Sequence, residues 1–599
     1  MATSNDQIFT FPEEMQVNKL VSISVDGQED PIEFTDLSLD QPLCDHQEFS
    51  FLWHYNRELI LSTNDQAKFV ENHLGVKVTI TFNSAQGKIF FIGLITAIQI
   101  QSPDESSTSF LIKGLSPTIF FDDIEQSQTY IDTTLSDVLN QVLKNAPSNL
   151  YDASSFDPGK NDKIPYAVQY NETDFQFISR QAKRYGQWMY YNGVNLRFGK
   201  LESPGLTLTN GVNLQNLKTS THINSPKIAV SAYNFKGAEK LKVETMKGQQ
   251  NSDNRYSQLA TQKSNDVFSR NNRSHSYLTT AVDQKDLDKT NQLLQDRNEA
   301  NMLTLSGKSH EPLQPGWIIT IANGEVSSDY IITTVKHHSI NEENYQCHFT
   351  AIPKNVRVPP YTNPFISAQA ASQPAEIIDN EDPEGLGRVK VRFVWQMESD
   401  WMRILSPYAG DEKGFYFIPE EGEEVLVAFE GGNVEKPYVA GALFNGKDKT
   451  GHKPKSNNIK AIRTRSGHTI ELIDTKGKEE IHIYDKGKKN SIIMASHEEE
   501  FQLLSSGKII IQAKEIEFSA KSALSMATEG VLNATADKDL NLASNKGDAT
   551  LKGSSKVTIK AKNANVTGDM DLELKGGKNA SLKGGQTSLK GTAGKIDIK

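Results

Sequence analysis

The chain has 599 residues, 37% hydrophobic and 23% charged; this composition folds rather than stays disordered, and the length exceeds the roughly 250–300 residues at which a single core stops growing. Cys44 and Cys347 are the whole cysteine complement, so no disulfide framework exists, although one long-range bridge stays open; no run of about 18 apolar residues and no basic-then-hydrophobic leader marks membrane insertion or classical export. The net charge of −11 is uneven, since residues 459–599 hold 23 Lys and Arg against 18 Asp and Glu, but those lysines are interleaved with acids and no aromatic follows Phe518, which argues against nucleic-acid binding.

In chain order, residues 16–120 carry alternating patterns, as at 76–82 and 88–95, which predict barrel strands rather than helices. A helix follows, with Leu135, Val138, Leu139, Val142 and Leu143 on one face, Thr134 and Asp137 as a capping box and Pro147 beyond its end. A second amphipathic helix lies between Thr173 and Tyr185, where Thr173 and Gln176 form the capping box and Gly186 ends it. Residues 236–275 are polar and repetitive and read as a mobile or peripheral loop. A third helix is expected near 284–302, where Leu287, Leu293, Leu294 and Met302 alternate with charges, and residues 359–374 read as a linker.

Residues 379–445 read as a compact β-barrel. Strands are expected at 387–393, 401–405, 423–429 and 437–441, with turns at 382–385 and 430–433. Four or five strands with Gly-rich bends in about seventy residues suit an OB-type barrel.

From about Phe501, pairs of the form apolar-x-apolar recur, from Phe501/Leu503 and Ile509/Ile511 through Leu540/Leu542 to Ile596/Ile598. First members stand 7 to 9 residues apart, and Gly, Asn, Asp, Ser and Lys fill the spaces. Alternation within each pair is strand periodicity, and the polar spaces are turns. The last proline is Pro454, as a long ladder of strand hydrogen bonds requires, because proline removes a donor. A two-residue apolar face every eight residues supplies one wall and encloses nothing. The other walls are expected from further copies of the chain, three being the smallest closed prism.

A family resemblance attaches to particular residues. The run Asp382-Pro383-Glu384-Gly385-Leu386-Gly387-Arg388-Val389-Lys390-Val391-Arg392-Phe393 resembles the barrel signature of the VgrG spike proteins of type VI secretion, shared with contractile-phage needle proteins. Pro419, Gly422, Glu424 and the alternating Val425, Val427 and Phe429, with Gly441 and Asn445 closing the domain, are similar as well. Residues 462–472 resemble the family's passage into its triple-stranded β-helix, and 169–188 its hub region; Pro315-Gly316-Trp317, 330–337 and 345–353 follow the hub's closing strands.

The resemblance implies a mainly β fold with a few helices. Residues 1–370 are expected to form hub domains with two β-barrel subdomains and helical insertions, 375–450 an OB-fold collar, and 459–599 an intertwined triple-stranded β-helix, a trimeric β-prism. The implied function is that of a homotrimeric structural spike that caps the tube of a contractile injection machine. Implied partners are an Hcp-like tube hexamer at the base, baseplate proteins, and a PAAR-type tip protein, effector or adaptor at the C-terminal end. Target membrane is met transiently during puncture, after assembly in the bacterial cytoplasm and delivery by contraction. Leu524, Leu532, Leu540, Leu542, Val557, Ile559, Leu572 and Leu574 are expected to face the spike interior, and Ile596, Ile598 and Lys599 to seat the tip. A phage-tail or extracellular injection particle is the alternative home, and a polysaccharide-binding tailspike is disfavoured because residues 519–599 lack aromatics for sugar stacking.

No catalytic or cofactor set is expected. There is no Gly-x-Gly-x-x-Gly and no Gly-x-x-x-x-Gly-Lys-Ser/Thr. His497-Glu498-Glu499-Glu500-Phe501 lacks the second histidine of a zinc-protease helix, and Glu498–Glu500 reads as a solvated turn. His337 and His338, with His310 or His348, lack metal-ligand spacing and read as strand histidines. About a dozen residues, 446–458, separate collar and spike, too few for the lysozyme domain some needle proteins carry there, and no fused effector domain is expected after the repeat.

Overall fold

The computed structural model describes residues 19–56, 61–84, 87–101, 108–145, 151–159, 162–248, 254–270, 274–452 and 456–591. The chain divides into two compact units, residues 1–453 and 454–599.

A 12-stranded sheet dominates the first unit. Val21–Val25, Lys77–Ser84, Gly87–Gln101, Thr108–Leu115, Glu48–Asn56 and Phe34–Pro42 are neighbours in that order, and the last pairs with Val326–Ser339, which leads on to Tyr345–Pro353, Leu303–Ser309 and Leu214–Thr221. Lys77–Ser84 illustrates why these residues form strands: Val78, Ile80 and Phe82 are buried while Thr79 and Thr81 turn to the other face. The join between the two halves, Thr334 opposite Pro42 through Ser339 opposite Leu37, makes one sheet from segments almost 300 residues apart.

His337 sits at that join and is no ligand. It is fully buried, with Nδ1 2.7 Å from the Tyr345 hydroxyl, Nε2 2.7 Å from Gln41 Oε1, and its ring stacked on Phe82 at 4.4 Å. Gln41 donates its own amide to Gln47, which fixes Oε1 toward the imidazole. Burial pushes the His337 pKa down to about 3, so the ring is neutral, donating to Gln41 and accepting from Tyr345. Cys44 and Cys347 are both buried free thiols, so the bridge left open above does not form.

The three expected helices form. Leu135–Val142 and Asp174–Tyr185 carry the two capping boxes, Gly186 ends the second, and Gln284–Ala300 is capped by Asp283. Thr63–His73, capped by Ser62, was not foreseen; only Phe69 and His73 are buried, so it carries no apolar stripe to read.

Residues 236–275 correct the loop expectation. They contain the strand Glu239–Thr245, which pairs with Ile228–Asn234, and the helix Arg255–Val267. That helix hides Ser257, Ala260, Thr261 and Ser264, a small and polar face that an apolar count misses. Strand and helix Gln284–Ala300 build a separate core around Ile228, Val230, Leu241, Leu287 and Leu294. The supposed linker 359–374 is also partly packed, with Thr362 and Ala368 buried.

The collar sheet runs Lys390–Phe393, Gln373–Asp379, Glu424–Phe429, Pro437–Ala442 and Arg403–Ile404. Its central strand Gln373–Asp379 begins six residues before the expected barrel start at 379, because Pro374 masks it in sequence yet sits opposite Leu426 in the ladder.

In the second unit, Ile459–Arg463, Thr469–Thr475, Lys478–Tyr484, Asn490–Ala495 and Glu500–Ser505 form an antiparallel meander within the one chain. The expected repeat therefore gives way here to local hairpins, and the Phe501/Leu503 pair lies in the last of these strands. Ile462, Ile470, Ile483, Ile492 and Leu503 fall in one cross-strand row. Beyond it, described residues 506–591 are all exposed and pair with no strand. Bends recur there at 514, 521, 529, 537, 545, 554, 562, 569, 577 and 585. That spacing of 7 to 9 residues is the period of the apolar pairs.

Candidate functional site

Strand Ile164–Glu172 and helix Asp174–Tyr185 carry the junction between hub and collar. Successive residues of the strand serve different cores: Ala167 is buried in the hub cluster, and Val168 in the collar cluster with Ile377, Val391 and Val425. On the helix, Phe177, Ile178 and Ala182 are fully buried in the hub, while Arg180 and Arg184, one turn apart, reach toward the collar.

Between the two arginines lies Glu435, from the turn before the collar strand Pro437–Ala442, with a side chain only 3% exposed. Arg184 Nη1 donates to Glu435 Oε2, and Arg180 Nη1 stands 3.5 Å from Oε1. Arg180 also makes a forked pair with Glu172, both bonds at 2.7 Å, and donates to the Val168 carbonyl at 2.6 Å. Asn433 Oδ1 accepts from the Glu435 amide at 3.0 Å and holds the turn. Burial pushes the Glu435 carboxyl up, but the Arg184 and Arg180 guanidiniums more than offset it and hold the pKa below the ordinary glutamate value. The cluster is a buried ion network that fixes hub to collar, with Arg180 Nη1 held at ion-pair distance from Glu435 and not hydrogen-bonded. Sequence reading passed over it; the available signal was two arginines at i and i+4 on an otherwise buried helix face.

The collar signature forms a second closed unit. Asp382 Oδ1 accepts from the Glu384 amide at 3.0 Å, and Oδ2 from the Leu386 and Arg388 amides at 2.9 and 3.1 Å. Arg388 adds a forked pair, Nε to Oδ2 at 3.0 Å and Nη2 to Oδ1 at 2.6 Å. Gly385 and Gly387 both have φ of +67°, which this tight winding requires and a side chain would strain. Val389, Val391 and Phe393 then enter the collar core. Pro419 accepts from Asn380 Nδ2 at 3.0 Å, Gly422 donates its amide to the Ile377 carbonyl, and Glu424 holds Asn445 at 2.9 Å. Leu386 stands apart, exposed on the surface.

The Arg388 bonds hold the Asp382 carboxyl well below its usual 3.8. A depressed carboxylate contributes stability that is complete above the unfolded value and is lost as pH falls through the folded one. Asp382→Asn is expected to cost about 3 kcal/mol near neutrality, because it takes the forked carboxylate from the buried Arg388 guanidinium and leaves it to the half-exposed Glu384. In denaturant titrations the gap to the parent should narrow below about pH 4. A gap constant from about pH 7 to about pH 3 would refute the role given to this carboxylate.

The signature residues come together within the first unit, and the expected spike-interior set belongs to the second. Leu524, Leu532, Leu540, Leu542, Val557, Ile559, Leu572 and Leu574 are all exposed in a single chain. Ile596, Ile598 and Lys599 lie outside the described residues. Among the described residues, no three His, Cys, Asp or Glu side chains gather as a metal site, and no helix is long and apolar enough to cross a membrane.

A mainly β hub joined through a buried ion network to an OB-type collar defines a baseplate-hub protein of the contractile-tail type. Residues 52–343 match the family model for the phage tail baseplate hub (GPD), and 373–444 that for the type VI secretion system/phage-baseplate injector OB domain. These two matches and the curated relatives support a VgrG spike protein. Type VI secretion system spike protein VgrG5 of Pseudomonas aeruginosa is 26% identical over 230 residues, 32% of this chain and 29% of that protein. Actin cross-linking toxin VgrG1 of Vibrio cholerae is 21% identical over 412 residues, 60% of this chain and 36% of that protein. The chain thus matches well under half the length of these curated relatives. A chain of the Francisella PdpA-VgrG complex in its half-lidded form shares the fold, with a TM-score of 0.50 at 10% identity, covering 81% of this chain and 87% of that one.

Proposed function

We propose that the chain is the structural spike of a contractile injection machine of the type VI secretion kind, working as a homotrimer and without catalysis of its own. The observation that carries this reading is the second unit. Its apolar pairs repeat at the same 7-to-9-residue spacing as its bends, yet every described residue from 506 to 591 is exposed. Eighty-odd residues of bent chain whose backbone pairs with no strand cannot hold their course alone. Two further copies wound about the same axis supply the missing ladder partners and cover Leu524, Leu532, Leu540, Val557 and Leu572.

The meander supports the same reading, because its row from Ile462 to Leu503 presents apolar side chains that one chain leaves partly uncovered. The hub, in this reading, docks on an Hcp-like tube hexamer and the baseplate, and the C-terminal end around Ile596, Ile598 and Lys599 seats a PAAR-type tip protein or an effector. The fold shared with a chain of a complex between PdpA and VgrG favours a protein partner for this chain as well.

Light scattering on the purified full chain tests the reading. The expected mass is that of three copies of the 66.6 kDa chain. A folded, monodisperse monomer would overturn it.

A further inference from the structure

The collar carries a feature that its own core does not explain. Between Leu405, whose amide donates to the Val439 carbonyl at 2.8 Å, and Ile418, which packs against the collar core, the chain leaves the barrel as an arm. The arm is ordered. Ala409–Gly410 pairs with Lys413–Gly414, the Phe415 amide donates to the Tyr408 carbonyl at 2.9 Å, and the Ser406 hydroxyl spans the hairpin at 3.0 and 3.2 Å. At Gly414, φ is +136° and an added Cβ would lie 2.4 Å from the Tyr408 carbonyl oxygen, so the hairpin closes only with glycine there.

What the arm presents is aromatic and acidic. Phe415, Tyr416 and Phe417 belong to no buried cluster, and Tyr416 is 82% exposed. The hairpin tip carries Asp411 and Glu412 beside Lys413. Among the described residues, nine large apolar side chains are exposed in 373–444, against four in the longer stretch 21–115, so the excess is a property of the collar. A patch of that kind marks an interaction surface.

The complementary surface is on the same collar. Residues 443–449, where the chain leaves the barrel, present Leu443, Phe444 at 74% exposure, Lys447 and Lys449. They too are fixed: Asn445 Nδ2 bonds Glu424 Oε2 at 2.9 Å, and Asn445 Oδ1 accepts from the Lys447 and Asp448 amides at 2.9 and 2.7 Å. Both surfaces are ordered and both stay exposed within one copy, so each is available to another. A surface that pairs with a different surface of an identical chain makes a head-to-tail contact, which closes into a ring when the rotation allows.

We propose that in the homotrimer each collar arm lies over the exit segment of the next copy, Phe415, Tyr416 and Phe417 covering Leu443 and Phe444 while Asp411 and Glu412 face Lys447 and Lys449. This rests on the homotrimer reading above and adds the contact that clasps the collars.

Co-expression of two differently tagged full-length chains tests it, one with Tyr416→Cys and the other with Phe444→Cys, treated with a short bis-maleimide; the native cysteines are buried. Mixed-tag cross-linked pairs are expected in most assemblies holding both chains. They should fall at least fivefold when Val212→Cys, an exposed hub position, replaces Phe444→Cys. A particle with the mass of three copies that gives no mixed pair, or gives as many with Val212→Cys, overturns the arm contact and leaves the trimer standing. A monomeric mass overturns the trimer and the arm contact with it.

Discussion

Glu435→Ala is expected to loosen the collar from the hub, at a cost of about 3–5 kcal/mol, because it strands Arg184 and takes one of two carboxylates from Arg180 in a site closed to water. Size alone does not explain such a loss. Besides the four side-chain heavy atoms it deletes, the substitution leaves Arg184 without its carboxylate and brings it near an Arg180 held by Glu172 alone. The expectation therefore separates charge from packing. Arg184→Met with Glu435→Leu removes both members and fills the volume, and should recover most of the loss, since replacing a whole buried pair is often near neutral. Denaturant unfolding with hydrogen exchange at Val168 and Val439 checks this, both residues lying in the collar core. Equal destabilisation by the single and double variants would show that the network contributes shape and not charge balance.

Leu540→Asp is expected to abolish assembly of the proposed trimer. Leu540 is 59% and Leu542 88% exposed in one chain, but the proposed prism turns this doublet toward the shared axis. Three carboxylates would then meet near one level with neither cation nor water to satisfy them, each at a cost of several kcal/mol. Asn541→Asp, one residue along, points to the opposite face of an extended chain and should assemble normally. Mass measurement of both variants decides the matter; a soluble, heat-resistant trimer of Leu540→Asp would remove the inward orientation.

The difference between these two expectations follows the limits of sequence reading. The Leu540 argument was legible without coordinates, because an i, i+2 apolar doublet repeated at fixed spacing has one geometric meaning and the turns between doublets advertise themselves. The same holds for the helices Leu135–Val142 and Asp174–Tyr185, whose capping boxes and apolar stripes are local signals. Helix Arg255–Val267 was illegible for the complementary reason: it buries serine, threonine and alanine, so its inner face resembles a loop until Met302 is placed against Thr261. Gln373–Asp379 was hidden by a proline that only its place in the ladder accommodates.

By itself, then, the order of residues determined everything governed by short range: strand alternation, caps, the proline-free repeat and the Asp382-to-Arg388 run, whose acid and arginine lie six residues apart with the glycines between and close on themselves. Tertiary structure alone decided which distant groups share a low-dielectric site. Glu435 meets Arg180 and Arg184 across some 250 residues, His337 meets Gln41 across nearly 300, and no local pattern encodes either meeting. The reason is that a buried charge or imidazole is tolerated only where partners from separate segments converge, and that convergence exists only once the whole sheet and collar have folded.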